Sequence, residues 1–246
     1  MKHQDVTRRA PAAANRRAQA RPGGLPPASA ARSERTRARL IEVGGQLFAE
    51  LGFDGVTGQL ICRRARVHTA AIVYHFGGIQ GLYRAVLAEA QRRLVSNEQL
   101  AAAVGAETDP RRRLEAFLTM IVRAVMSPAS QSWAGRLFGR EFITPSTVHG
   151  RAHDRALAAR ARMLKEIIGA LIGCAPDDPR VARGCISTMA PCALLLLVNR
   201  AKLKRLLGLS LDAQSAPQLT RHLADFALAG LRAMAAPGER DIPRKR

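Results

Sequence analysis

The sequence predicts an all-α protein, and three observations support this. Hydrophobic residues make up 47% of the 246 residues and aromatic residues only 4%, so the side chains that favour strands are scarce. Long stretches rich in alanine, leucine and arginine favour helix. Apolar residues recur at spacings of three and four, the period of a helix with one buried face. The length suits one large domain, or a small domain joined to a larger one.

The charge balance predicts a polyanionic partner. Lysine and arginine total 39 against 19 acidic residues, a formal net charge of +20. This excess favours nucleic acid or an acidic membrane surface, and charge alone does not choose between them. The longest apolar run, 193–198, is far shorter than the roughly 18 residues of a membrane span, so we expect a cytoplasmic protein with no membrane partner.

Both ends of the sequence are predicted to be basic and disordered. Residues 1–32 hold seven lysines and arginines and one acid, and residues 237–246 form a short basic tail. The first segment would add non-specific contacts with phosphates, although an organelle transit peptide has the same composition. Four cysteines without a CxxC pair predict buried reduced thiols and no zinc site.

The first helix is predicted from the apolar spacing that follows Ser33. One face would carry Leu40, Val43, Leu47 and Leu51, and the helix should end at Gly52. Gly44 and Gly45 each weaken a helix by about 1 kcal/mol relative to alanine. They indicate either a close contact between helices or a tolerated weakness.

Two shorter helices follow and predict a helix-turn-helix unit. Thr57 can accept a hydrogen bond at the start of the second helix. A turn at 66–69 leads to a third helix, which buries Ile72 and Phe76 and ends at Gly77–Gly78. Such a unit places one exposed helix in a DNA groove.

The exposed face of the third helix is the predicted DNA-reading surface. Ala70 and Tyr74 lie opposite the buried pair, and small side chains there let the backbone approach base edges. Thr69, Ala71 and Val73 flank them, Tyr74 and His75 suit phosphate contacts, and Arg63 lies on the preceding helix.

Two stretches resemble a known family. Residues 57–82, TGQLICRRARVHTAAIVYHFGGIQGL, resemble the DNA-binding domain of TetR-type transcriptional regulators. The later SQSWAGRLFGREFITPS resembles the C-terminal domain of the CecR (CerR) branch. The resemblance implies a DNA-binding domain at 33–94 and a helical effector-binding and dimerisation domain at 95–236. It also adds Thr57 and Gln59 to the residues expected to meet DNA.

Two positions depart from the family's pattern. Many relatives have glycine where this chain has Arg66, a turn position that often needs left-handed backbone geometry. Many also have lysine where this chain has Ile79. We therefore expect weaker operator binding, or greater dependence on the basic N-terminal segment.

Helical periodicity continues through the rest of the chain. A long helix is expected from Leu82, and further helices should start at Pro110, Pro128 and Pro179, the last with a kink at Pro191. Another helix should end near Gly173. The final helix, 216–235, is apolar on two sides, which predicts a two-fold dimer or a helix central within one subunit. The predicted interface residues are Leu194, Leu197, Ala224, Ala227, Leu228 and Leu231.

A small-molecule effector site is predicted around one short helix. Trp133, Arg136, Arg140 and Glu141 could wall a pocket, or Trp133 could pack beside an Arg–Glu ion pair that holds neighbouring helices together. The same cavity could be lined by Phe117, Met120, Met163 and Met189, which are equally ordinary core residues.

No motif predicts an enzyme or a cofactor. His149, His153 and Asp154 have spacing compatible with a metal, but the segment lacks the glutamate of a hydrolytic HExxH helix. Neither a nucleophile elbow nor a phosphate-binding glycine loop is present.

The sequence therefore predicts a cytoplasmic, homodimeric, ligand-responsive repressor. It should bind a palindromic operator in double-stranded DNA near its own gene, and leave it when an effector binds. The resemblance further suggests control of the export of toxic compounds. The alternatives are a protein that coats nucleic acid without sequence preference and, less favoured, a metal-dependent hydrolase.

Overall fold

The computed structural model describes residues 27–148, 150–197, 200–208, 211, 212 and 214–235. Within these ranges the chain forms α-helices and no strand, which confirms the predicted all-α class. The predicted basic arm lies outside the described residues up to position 26, and so does the tail at 237–246. Residues 27–32 are helical, so the first helix begins before Ser33, earlier than its apolar spacing predicts.

The first four helices and an eighth share one hydrophobic core. They are α1 (Pro27–Leu51), α2 (Gly58–Ala65), α3 (Ala70–Phe76) and α4 (Ile79–Leu94). Leu40, Phe48, Ile61, Leu82 and Val86 are buried at its centre. Later in the sequence, α8 (Trp133–Ile143) packs against α1 and α4 and adds Trp133, Ala134 and Leu137 to the same core. This cluster is called the N-terminal core below.

Six of the remaining helices build a second core. They are α5 (Asn97–Gly105), α6 (Pro110–Met126), α9 (Gly150–Ile172), α10 (Pro179–Leu197), α11 (Arg200–Leu207) and α12 (Ala216–Ala235). The short α7 (Pro128–Gln131) packs against α6 and α8. The central contacts are made by α6, α9, α10 and α12, with Leu114, Leu118, Ile167 and Ile168 fully buried. This cluster is called the C-terminal core below.

The long helix expected from Leu82 is interrupted. Helix α4 ends at Leu94, and Val95 is extended with φ −159°. Ser96 then caps α5 and accepts a hydrogen bond from the Gln99 backbone N–H at 3.1 Å, while the Gln99 side chain accepts one from the Ser96 N–H. A Ser-x-x-Gln capping box was therefore present in the sequence as a signal for the break.

Among the described helices, α10 alone is long and apolar enough to span a membrane by length and composition. It packs against α6, α8, α9 and α12, with Val181, Thr188, Cys192 and Leu195 buried. Its other face exposes Ile186, Leu194 and Leu197. An apolar helix with one face in a protein core and another uncovered fits a subunit contact as well as a membrane.

Candidate DNA-binding interface and effector region

Local hydrogen bonds fix both ends of α2 and the start of α3. The Thr57 hydroxyl accepts a hydrogen bond from the Leu60 N–H at 3.2 Å, the cap that the sequence predicts. At the other end of α2, the Val67 N–H donates to the Cys62 carbonyl at 3.0 Å. His68 Nδ1 accepts a hydrogen bond at 3.3 Å from the N–H of Ala70, the first residue of α3, a contact that the sequence analysis missed.

Helix α3 has one buried and one exposed face, as its pattern predicts. Ile72 is buried in the N-terminal core, and Phe76 is partly buried beneath the Arg37 guanidinium, which lies 5.6 Å from the ring centroid. Val73 and Tyr74 are 66% and 71% exposed, although both are large and apolar or aromatic. Exposed apolar and aromatic side chains that lie side by side are typical of an interaction surface.

The other predicted DNA contacts differ in their accessibility. Thr57, Gln59, Arg63, Thr69 and Ala70 are exposed, whereas His75 is half-buried. Ala71 is partly buried against the N-terminal core, so less of its methyl group is accessible to a groove.

The surface around α3 is positively charged. Residues 57–78 contain three arginines and no aspartate or glutamate. Arg63, Arg64 and Arg66 are all exposed. Burial raises the pKa of the Cys62 thiol, so this group adds no negative charge. A positive surface around an exposed helix favours a phosphate backbone.

Arg66 is in a left-handed conformation, with φ 51° and ψ 48°. In this conformation a residue with a Cβ atom destabilises the fold by about 1 to 2 kcal/mol, and glycine avoids this penalty. We predict that Arg66→Gly raises the free energy of unfolding by about 0.5 to 1 kcal/mol, after allowance for the greater freedom of unfolded glycine. Urea denaturation measures this. The control, Arg64→Gly within α2, should lower the free energy of unfolding by up to about 1 kcal/mol. If both substitutions changed the free energy of unfolding in the same direction, the left-handed conformation of Arg66 would not be a source of strain.

Two residues of the predicted effector pocket instead join α8 to the DNA-binding helices. Trp133 Nε1 donates to Glu42 Oε1 at 2.8 Å, and the Arg93 guanidinium lies 4.8 Å from the centroid of the tryptophan ring. The buried carboxylate of Glu141 accepts a 2.5 Å hydrogen bond from the Tyr83 hydroxyl of α4. Burial, together with this carboxylate, raises the pKa of Tyr83. A rotation of α8 would therefore disturb these contacts with α1 and α4.

The eight predicted effector residues are not brought together around one cavity. Trp133 belongs to the N-terminal core, whereas Phe117, Met120, Met163 and Met189 belong to or pack against the C-terminal core. Arg136 is exposed and donates to the Gln131 carbonyl at 3.2 Å. The exposed Arg140 packs its guanidinium against Gly52.

The predicted dimer residues divide between the surface and the core. Leu194 and Leu197 are 55% and 40% exposed. Ala224, Leu228 and Leu231 are buried in the C-terminal core of their own subunit, and Ala227 packs against it. The large apolar residue that α12 exposes is Phe226, at 69%, which lies on the stripe that also carries Leu219 and Leu223. The sequence shows both stripes, and which one faces outward depends on how α12 packs against α6 and α9.

The predicted metal ligands are only partly described. His149 lies outside the described residues. His153 is buried and its Nδ1 lies 2.9 Å from Gln91 Nε2 of α4, while Asp154 is exposed. In the described ranges, no group of three or more His, Cys, Asp and Glu could hold a metal ion.

Comparison with known proteins gives matches over both parts of the chain. Residues 40–86 match the bacterial regulatory proteins of the tetR family. Residues 110–234, about half of the chain, match the C-terminal domain of the HTH-type transcriptional dual regulator CecR.

Individual proteins resemble the chain at lower identity. The HTH-type transcriptional regulator SrpR of Pseudomonas putida is 29% identical over 57% of this chain and 64% of its own length. The uncharacterized HTH-type transcriptional regulator TtgW, also of Pseudomonas putida, is 30% identical over 52% of this chain and 94% of its own. The ketosteroid transcriptional regulator of Mycobacterium tuberculosis has a similar fold, with a TM-score of 0.58 at 16% identity, over 79% of this chain and 93% of its own.

Proposed function

Because the chain belongs to the TetR family of bacterial regulators, in the branch with a CecR-type C-terminal domain, we propose that it is a homodimeric repressor of transcription. Helix α3 would read a palindromic operator in double-stranded DNA. The observation that carries this is the pair Val73 and Tyr74, exposed on a helix whose other face is buried and whose surroundings are positive. Thr57, Gln59, Arg63, Thr69, Ala70, Ala71 and His75 complete the proposed interface.

A dimer recognises a longer DNA sequence than one short helix can contact. One such helix contacts only a few base pairs, and two related by a dyad read half-sites about 34 Å apart. We propose that Ile186, Leu194 and Leu197 of α10 and Phe226 of α12 form the subunit interface, because they are exposed apolar residues on two helices that pack against each other.

Replacing Phe226 by glutamate is predicted to dissociate the dimer. A carboxylate within an apolar interface loses its hydration without gaining a partner. The mass in solution, measured by sedimentation equilibrium, should fall to that of one subunit at concentrations where the wild type is dimeric. Phe142→Glu on α8, where Phe142 is 61% exposed, is the control. A wild-type monomer, or a variant that associates as tightly as the wild type, would contradict the proposed interface.

An effector completes the proposal. Binding of a small molecule in the C-terminal domain would change the separation of the two α3 helices and release the operator. The direct contacts of α8 and α9 with α4 support this, since Tyr83 and Gln91 each bond to a residue of the C-terminal half. A cytoplasmic location and control of exporters of toxic compounds belong to the same proposal and rest on the family resemblance.

Fluorescence anisotropy with the DNA upstream of the gene tests this function. The repressor should bind that DNA at least about 10³-fold more tightly than a scrambled sequence at near-physiological salt. A protein that only coats nucleic acid would bind both sequences alike and would lose affinity for both equally as salt increases. That second outcome would follow from the net charge of +20 alone.

A further inference from the structure

A cleft of about 390 Å³ lies between α5, α6 and α9, on the side of the C-terminal domain that meets α4. Its charged walls are Arg113 of α6 and Arg160, Arg162 and Glu166 of α9. Its apolar walls include Val104 and Met163. The volume falls within the range of small-molecule sites, which combine apolar walls with a few convergent polar groups.

The charge in this cleft is not balanced by the protein. Three guanidinium groups face one carboxylate, and in the described part of the chain none of the three arginines forms an ion pair within 4.0 Å. Arg160 bonds only neutral acceptors: its Nε donates to Asn97 Oδ1 and its Nη2 to the Val95 carbonyl, both at 2.6 Å. Burial lowers the pKa of Arg160, as expected for a cation that has lost water without gaining an anion.

Arg113 adds an unused donor. Its Nε is buried and has no hydrogen-bond partner among the described residues. Leaving a buried donor unpaired is unfavourable. Because this atom is closed to solvent in the free protein, the Arg113 side chain must turn toward the cleft before a carboxylate or phosphate oxygen there can supply the missing acceptor. The same anion would compensate the charge of Arg160. One bound anion would therefore satisfy both the unpaired donor of Arg113 and the uncompensated charge of Arg160.

We propose that this cleft binds an organic anion, with Arg113 and Arg160 holding its carboxylate or phosphate group and the apolar walls covering a short hydrocarbon body. This rests on the proposed function, because it assigns the chemical class of the effector. It also places the site away from the residues around Trp133.

The position of Arg160 connects the cleft to the DNA-binding helices. Val95, whose carbonyl it holds, is the residue directly after α4, and Asn97 begins α5. The Asn97 side chain also donates to the Ala156 carbonyl of α9 at 3.1 Å. An anion that draws the Arg160 guanidinium toward itself competes with these bonds at the end of α4. Such a ligand would favour an arrangement of the junction in which these bonds are broken, and a difference in affinity between that arrangement and the observed one is the condition for shifting an equilibrium.

Isothermal titration calorimetry on the full chain without DNA tests the proposal. The probes are octanoate, octyl phosphate and, as an uncharged control, octan-1-ol, all at constant ionic strength. Both anions, or one of them, should bind while the alcohol binds at least 10-fold more weakly, and their relative affinity identifies the preferred headgroup. Absence of binding by both anions at millimolar concentration, or equal binding of the alcohol, would overturn the proposal.

Variants locate the site. Arg113→Gln should weaken anion binding at least 10-fold, Arg113→Lys should retain part of it, and Arg112→Gln, a change at an exposed neighbour outside the cleft, should leave it unchanged. Anion binding that survives Arg113→Gln intact would also overturn the proposal. The comparison with octan-1-ol needs only the wild type, so it decides the matter even if a variant fails to fold. DNA binding is measured separately, so loss of the anion site and loss of the repressor function remain distinguishable.

Discussion

Replacing Tyr74 by alanine is expected to weaken binding to the operator by about 5- to 150-fold, the effect of losing one DNA contact of about 1 to 3 kcal/mol. Tyr74 is 71% exposed. Within the subunit its ring packs edge-on against the ring of His75, with the two ring centroids 4.9 Å apart. Its removal should therefore reduce DNA affinity without unfolding the helix. Anisotropy with specific and scrambled DNA, together with a thermal melt, measures both effects.

Two matched variants sharpen this prediction. Phe142→Ala removes another exposed aromatic ring, from α8, and should leave the operator affinity unchanged. Tyr74→Phe keeps the ring and removes the hydroxyl, so it separates a hydrogen bond to phosphate from a stacking or apolar contact. The assignment of α3 as the reading helix would fail if Tyr74→Ala bound the operator as tightly as the wild type.

Replacing Gly45 by alanine is expected to lower the free energy of unfolding by about 1 to 3 kcal/mol, the usual cost of overpacking a core. A Cβ at this position would lie 2.5 Å from the ring of Trp133. That ring is only 4% exposed and is held by its hydrogen bond to Glu42, so it has little room to move aside. Urea unfolding followed by the fluorescence of Trp133, the single tryptophan, gives the difference directly.

The neighbouring Gly44 provides the control. A Cβ there would meet Leu82, Phe48 and Val86 at 3.5 Å, which is ordinary contact. Gly44→Ala should therefore leave stability unchanged or raise it by up to about 1 kcal/mol through its higher helix propensity. Equal destabilisation by the two substitutions would show that the glycines act through the backbone of α1 and not through contact with Trp133.

Local signals predicted the DNA-binding half well. The Thr57 cap, the burial of Ile72 and the end of α3 at Gly77 depend on residues a few positions apart, which the sequence displays directly. The sequence left two explanations for Gly44 and Gly45. Only the packing of α8 decides between them, and Trp133 is nearly ninety residues away in the chain.

The C-terminal predictions depended on such distant contacts and succeeded less evenly. Helix 216–235 was predicted with its observed bounds, but the sequence could not show which of its two apolar stripes faces the subunit's own core. For Trp133 and Glu141 the sequence leaves two explanations, an effector pocket and a packed tryptophan whose neighbours hold helices together, and their bonds to α1 and α4 fit the second. The cleft beside Arg113 and Arg160 gave no sequence signal, because it forms from three helices that meet only in the folded chain.

Selection of DNA from a random pool by the purified protein tests the central claim most directly, since it assumes nothing about where the operator lies. The account predicts an enriched inverted repeat whose half-sites are about one helical turn apart. The Tyr74→Ala variant should enrich the same repeat much more weakly than the wild type. A wild-type protein that enriches no motif, or a single half-site without symmetry, would contradict a dimeric regulator that reads DNA through α3.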